Sequence, residues 1–381
     1  MKVVVLSWRD LENPLAGGAE VMFDRLMREL AGRGVDVTLL CGGPAATRDY
    51  KVIAAGGTYS QYLLIPFVCA TRFRDVDVVI DTENGFPYFS PVWRRRPSLC
   101  VVHHIHTDQW ETRFPRPVAA MCRSIELHVM PRIYRNKLFV AISQSTAASL
   151  REIGIDDKRI RVIEPGVDLP TGPPPEKSAE PLYLSLNRLV PHKRIDLLLR
   201  AWELASERLP GRLVIAGDGP ELSNLREMAS RIPRTEVVGR VADEEKIRLM
   251  GAAWMLVTSS NHEGWGMSVL EAAALGTPTL AVDAPGIRDA IEDGITGTLV
   301  RAERHLLESA LADAWVELAS DSSTRKKMGA AARERSARFS WQYVAEQWVE
   351  VLEGILRETS TGSPRRRRRL KRADPSQTEV A

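Results

Sequence analysis

An apolar run, a glycine-bearing loop, an amphipathic helix and a second apolar run follow one another within residues 2–41, and few folds accept that order. Residues 2–8 (KVVVLSW) read as a strand buried on both faces. The loop Asn13-Pro14-Leu15-Ala16-Gly17-Gly18 turns the chain. Residues 19–33 then place Phe23, Leu26, Met27 and Leu30 at helical spacing until Gly34 stops the helix. Residues 35–41 form the next strand. This is a βαβ crossover, the building block of a doubly wound parallel sheet. Apolar runs at 77–80 (DVVI), 98–102 (SLCVV) and 138–142 (LFVAI) continue it, so a first domain is expected over residues 1–168.

Residues 169–181 (LPTGPPPEKSAEP) are proline-rich, polar and without period, which marks an interdomain linker. The same grammar then restarts. Strands are expected at 182–187, 212–216, 235–238, 254–258 and 278–283, with amphipathic helices between them, in a second domain over 182–336. Residues 337–357 carry Val344, Trp348, Val351, Leu352 and Ile355 on one stripe, which predicts a long helix packing back toward the first domain. Residues 358–381 are charged and contain Ser and Pro, as in a disordered basic tail. The fold class is therefore α/β: two doubly wound, Rossmann-like domains facing across a cleft at the carboxyl ends of their strands.

A length of 381 residues suits two domains, and 44% apolar with 27% charged residues excludes a fibrous or disordered chain. No uninterrupted apolar run of about 18 residues is present. The start, MKVVVLSWRD, meets a charge early and shows no small-residue cleavage site, so a cytoplasmic protein is expected. Cys41, Cys69, Cys100 and Cys122 form no CxxC pair and suggest buried thiols rather than zinc or disulfides. Residues 1–170 hold 22 Lys and Arg against 19 Asp and Glu, so the first half is mildly basic.

Three motifs fall where such sheets bind ligands. The Gly17-Gly18 loop opens the first helix, where backbone N–H groups favour an anion; glycines in an ordinary turn look the same. Asn187-Arg188-Leu189-Val190-Pro191-His192-Lys193-Arg194 leaves a strand of the second domain. There the planar fork of Arg188 and the compact charge of Lys193 suit a pyrophosphate leaving group. In Glu263-Gly264-Trp265-Gly266-Met267-Ser268-Val269-Leu270-Glu271, glycines make a tight turn before a helix. Glu263 is expected in the cleft and Glu271 inside the helix, each carboxylate able to accept sugar hydroxyls.

The E-G-x-G-x-x-x-x-E arrangement, preceded by N-R-L-x-x-x-K-R and by G-G-A-E after the first strand, closely resembles family 4 of the retaining glycosyltransferases, which have the GT-B fold. The resemblance runs from residue 1 to about 357. It implies a donor site, without a metal, for a nucleotide diphosphate sugar, UDP- or GDP-linked. Gly17, Gly18, Arg188 and Lys193 would hold the diphosphate. Glu263 would meet the sugar, Glu271 the ribose and the backbone near Arg240 and Val241 the base, while Gly264, Gly266, Met267 and Ser268 complete the donor set. Asn187 stands where the family often has Gly.

After the strand at 98–102, His103-His104-Ile105-His106 matches the site where the family places a histidine near sugar and acceptor. Strand alternation points His103 and His104 to opposite sides, which disfavours a shared metal; His103 is favoured over His104 for the cleft, and His106 is expected in a loop. Arg188, Lys193, Glu263 and His103 are thus the expected catalytic set. Asp75-Val76-Asp77 spells a metal-diphosphate pattern but leads directly into a strand, and Gly217-Asp218-Gly219-Pro220-Glu221-Leu222 lacks the third glycine of a dinucleotide loop.

The tail, with Arg365–Arg369, Lys371 and Arg372, has no interleaved aromatic, so no nucleic-acid partner is expected. The tail, or the basic amphipathic stretch 113–137, could meet an anionic membrane peripherally. The expectation is a retaining, metal-independent hexosyltransferase acting on a hydroxyl of a glycan, lipid or small molecule. An epimerase of the same fold and a non-catalytic sugar-binding protein are its rivals.

Overall fold

The computed structural model describes residues 1–46, 48–106 and 110–361. The first sheet runs β1 (Lys2–Ser7), β2 (Asp36–Cys41), β3 (Lys51–Ala54), β4 (Val78–Glu83), β5 (Ser98–Val102), β6 (Leu138–Ala141) and β7 (Ile160–Val162) along the chain. Its spatial order is β3-β2-β1-β4-β5-β6-β7, with every pair parallel. Helix α1 (Gly18–Gly32) covers one face, sending Phe23, Leu26 and Leu30 against Val3, Val5 and Val37. On the other face α2 (Gln61–Arg72) packs on Val4, Leu6 and Val79, and α3 (Arg116–Ser124) leads into a π-helical turn at Ile125–Val129.

The second domain repeats the plan. Its strands are β8 (Leu182–Leu186), β9 (Arg212–Ala216), β10 (Thr235–Gly239), β11 (Met255–Thr258), β12 (Thr279–Val282) and β13 (Gly297–Val300), in the order β10-β9-β8-β11-β12-β13. The edge strands β3, β7 and β13, of three or four residues, were too short for their pattern to show in the sequence. The strand expected at 77–80 extends by its pairing to Glu83, beyond the apolar residues, where buried Asp81 accepts the Tyr88 and Ser90 N–H groups, each at 2.9 Å.

After the helices Leu307–Ser320 and Ser322–Ser336, the final helix Trp341–Thr361 returns to the first domain. Trp341, Val344, Trp348 and Leu352 join the core that α1 shares with the sheet, and Arg33 donates to the Gln342 carbonyl at 2.8 Å. Gly166 is required at this junction, since a Cβ there would lie 2.5 Å from the Trp341 ring. The final helix runs on through residues 358–361, where a disordered tail was expected to begin, and residues 362–381 lie outside the described residues.

In each sheet the strand order reverses beside the first strand, between β1 and β4 and between β8 and β11. Ligands of open α/β sheets bind at such switch points. The loops that leave β1, β8 and β11 carry the three motifs.

Candidate active site

The loop after β1 is fastened from both domains. Glu20 accepts the Gly17 N–H at 2.7 Å, capping α1. Burial raises the Glu20 pKa, partly offset by the Gly17 N–H and the charges of Arg9 and Arg188. The Leu15 carbonyl accepts from Arg9 at 2.6 Å and, across the cleft, from Arg188 at 3.4 Å. A Cβ on Gly17 would come within 3.4 Å of the Arg188 guanidinium, and one on Gly18 within 3.4 Å of Met267. The Gly17-Gly18 loop of the first domain therefore meets Arg188 and Met267 of the second. Arg9, which the sequence reading did not single out, points to the same carbonyl; like Arg188, it follows the carboxyl end of a sheet's first strand.

Lys193 ends a 3₁₀ turn at Pro191–Lys193 and pairs with Glu263, whose carboxylate also accepts the Ser260 hydroxyl at 2.8 Å. Ser259 ties the two loops together by donating to the carbonyls of Lys193 and Arg194 at 3.0 and 2.7 Å. Burial pushes the Glu263 carboxyl up, but Lys193 and Ser260 outweigh it and hold the group below its ordinary range. Glu263 therefore stays ionised. Behind it, Gly286 at φ +80° is indispensable, because a Cβ would sit 2.1 Å from the Glu263 carbonyl oxygen.

Gly266, at φ +87°, starts the helix Met267–Ala274 in a conformation that other residues adopt only under strain. Glu271 lies on this helix, with Ala272 and Ala274 buried beside it, and pairs at 2.9 Å with Lys246 of the helix Asp243–Ala252. Val241 follows the end of β10 and is partly buried against the core. The Gly217-Asp218-Gly219 loop is a structural turn: Cβ atoms at its glycines would lie 1.8 Å from the Asn187 carbonyl oxygen and 2.3 Å from that of Leu189. Its glycines let it pack under the Arg188 loop. Asp77 accepts the Lys2 N–H at 2.8 Å and Asp75 pairs with the Lys2 ammonium, so the D-x-D triplet closes the far end of the sheet.

The histidines divide differently from the reading by strand alternation, because the chain leaves the sheet at Val102. The His103 ring is buried edge-on to Phe23 of α1, at 5.5 Å between centroids. Its Nε2 has no hydrogen-bond partner, and burial, with help from His106, lowers its pKa to about 4. The ring of His104, half-buried, lies tilted 3.9 Å from that of His106 and faces His262 of the second domain at 5.0 Å. His106 is fully buried rather than a free loop residue. Its Nδ1 lies 3.4 Å from Glu126 and 3.7 Å from Glu83.

The ligand atoms of Glu83, His106 and Glu126 lie within 4.8 Å of one another. Protein donors already engage the carboxylates: Glu126 accepts the His106 N–H at 2.7 Å and the Trp110 indole at 2.8 Å, and Glu83 accepts the Gly85 N–H at 2.9 Å. The cluster thus pins the histidine loop by hydrogen bonds. Glu126 had one signal in the sequence, as the sole acid among the arginines of 114–137. A cavity of about 1080 Å³ opens elsewhere, behind the 191–194 turn, among Arg194, Arg200, Asn261, Asp283 and Arg301, and holds none of the expected donor residues.

The two domains match two family descriptions, Glycosyltransferase Family 4 over residues 16–170 and Glycosyl transferases group 1 over residues 172–335. A D-inositol 3-phosphate glycosyltransferase of Xylanimonas cellulosilytica is 31% identical over 395 residues, spanning 88% of this chain and 91% of the relative. One from Nocardia farcinica is 28% identical, spanning 90% and 86%. In fold, the chain is similar to sucrose-phosphate synthase from Thermosynechococcus elongatus, with a TM-score of 0.79 over 94% of this chain and 99% of that one at 20% identity. It is also similar to HepE of Anabaena, solved in complex with UDP-glucose, with a TM-score of 0.75 over 93% and 100% at 19% identity. With two parallel α/β domains and these relatives, the chain belongs to family 4 of the GT-B glycosyltransferases.

Proposed function

We propose that this glycosyltransferase moves a hexose-type sugar from a nucleotide diphosphate, UDP- or GDP-linked, to an acceptor hydroxyl on a glycan, lipid or small molecule, with retention and without a metal. The observation that carries the reading is the convergence of Arg188, Lys193 and Glu263 on the side of the cleft facing the Gly17-Gly18 loop. HepE, solved with UDP-glucose, supports a UDP-linked donor, and the relatives named D-inositol 3-phosphate glycosyltransferase support a hydroxyl acceptor.

In this reading the donor diphosphate lies between Gly17, Gly18 and the two cations. Negative charge builds on the leaving phosphate as the sugar C1–O bond breaks, and Arg188 and Lys193 stabilise it at fixed positions. They fill the place of a metal ion. Glu263, held ionised, accepts sugar hydroxyls, with Gly264, Gly266, Met267 and Ser268 shaping the turn around it. Glu271 accepts the ribose hydroxyls and the backbone at Val241 faces the base. His103, a neutral imidazole, lines the first-domain side, and His104 and His262 flank the gap.

Glu20, Glu83 and Glu126, three first-domain carboxylates near the cleft, are held by backbone N–H groups, which argues against any of them as a covalent nucleophile. The acceptor oxygen then bonds C1 on the face the diphosphate leaves, and its proton passes to a leaving phosphate oxygen. The test is incubation with nucleotide sugars labelled at C1, with and without acceptors. Label in an acceptor product of unchanged anomeric configuration supports the reading; an inverted product removes the same-face route, and label released only as free epimerised sugar makes the protein an epimerase.

A further inference from the structure

The face of the first domain that carries α2 and α3 leaves a run of apolar side chains in solvent. Tyr59, Leu63 and Phe67 follow one another at four-residue spacing with exposures of 72%, 81% and 66%, and Leu64 lies beside them. Such spacing puts them in one stripe, on the side of α2 opposite Ile65 and Cys69, which enter the core. Beneath the surface, packing links α2 to α3. The Tyr62 hydroxyl donates to the Phe86 carbonyl at 3.3 Å, Phe86 packs edge-on to Trp110, and Trp110 shares a cluster with Ala119 and Cys122 of α3. From α3 and the turn after it, Val118, Met121 and Val129 are exposed.

Charge identifies what covers this face. Residues 59–74 and 85–97 contain no Asp or Glu, and in 114–137 the one acid, Glu126, is buried. The exposed charges there are Arg72, Arg74, Arg95, Arg96, Arg116, Arg132 and Arg135, while on the neighbouring turn Glu111 is matched by Arg123 at 3.2 Å. A protein partner with an apolar patch would not need a rim of one sign. A bilayer with anionic headgroups needs both parts: apolar side chains that enter the acyl boundary and arginines that stay at the phosphates.

The direction of α2 adds a functional consequence. A helix following a parallel strand starts at the carboxyl end of the sheet, so Tyr59 and Leu63 lie near the cleft mouth and Arg72 and Arg74 at the far end. Gln61 fixes that start by donating to the Trp8 carbonyl, just past β1, at 3.1 Å. We infer that the face formed by α2, α3 and the turn at 125–129 docks on an anionic lipid bilayer and sets the acceptor side of the cleft at the membrane surface. The acceptor is then an amphiphile held in that membrane, which rests on the glycosyltransferase reading, whereas the docking itself does not.

Flotation of the full chain with vesicles of phosphatidylcholine alone, and of phosphatidylcholine mixed with phosphatidylglycerol, tests the docking. Binding is expected to the anionic vesicles, to weaken with salt, and to fall roughly tenfold or more in the doubly substituted Leu63→Glu, Phe67→Glu chain. A chain with Arg365–Arg369 replaced by Ser should bind as well as the unchanged protein. The Arg116→Ser, Arg132→Ser chain, which leaves α2 intact, should bind more weakly if the first variant proves unstable. Nucleotide diphosphate affinity in vesicle-free buffer should be the same in all of them. Absent flotation, flotation lost only with the tail arginines, or a dimer that dissociates on Leu63→Glu, Phe67→Glu substitution would each overturn the inference. Flotation without any transfer to a soluble or lipid acceptor would instead count against the glycosyltransferase reading.

Discussion

The Lys193 ammonium and the Glu263 carboxylate pair across the loops that leave β8 and β11, with side chains only 14% and 15% exposed. Removing one partner strands the other in a dry site. Lys193→Ala should therefore cost about 3 kcal/mol of stability as well as turnover. Adding Glu263→Gln should restore most of the stability and none of the activity, as read by denaturant unfolding and by donor turnover.

Acid should act on the same pair. The folded carboxyl of Glu263 sits below its ordinary 4.5, so its share of stability is complete above that pH and disappears as pH falls through the lowered value. Unfolding free energies taken below pH 4.5 should decline less steeply in Glu263→Gln than in the unchanged protein.

His103 acts in a higher window. Its ordinary pKa of 6.5 is lowered to about 4 by burial, so the unfolded chain takes up a proton that the folded chain refuses. Its share of stability is complete above pH 6.5 and disappears as pH falls toward about 4, a loss of about 3 kcal/mol. In His103→Gln that part of the pH profile should flatten.

Much of this architecture is legible in the sequence, because both Rossmann-like halves repeat one pattern of apolar strand, loop and amphipathic helix, and the proline-rich segment separates them. The positions of Arg188, Lys193 and Glu263 on loops at carboxyl strand ends follow from the same pattern. Their partners do not. Ser260, which donates to Glu263, and Arg9, which shares the Leu15 carbonyl with Arg188, look like ordinary surface residues until the crossovers bring β1, β8 and β11 to the cleft. The histidines follow a local change the sequence does not show: alternation holds only while the strand continues, and it stops at Val102, so His104 turns toward His262 and His106 is buried beside Glu126. Nor did the sequence reveal that the apolar residues of α2 face outward, since a helix apolar on two sides reads as buried.

Gly264 measures how closely the domains meet. A Cβ there would lie 2.8 Å from Ile142 Cδ1 and 3.0 Å from the His103 carbonyl oxygen, both in the first domain. Gly264→Ala should hold the cleft ajar, lowering turnover on the order of tenfold through misplaced reactants while the melting temperature stays nearly unchanged.

Arg188 tests the account most directly, because it is exposed and reaches the first domain at the Leu15 carbonyl. Its loss should leave stability within about 0.5 kcal/mol. The measurement is calorimetric titration of the unchanged protein and of Arg188→Ala with UDP, GDP and the corresponding nucleosides. The account predicts that one diphosphate binds far more tightly than its nucleoside, and that Arg188→Ala removes most of that difference. Equal affinity for diphosphate and nucleoside, or an undiminished difference in the variant, would contradict it.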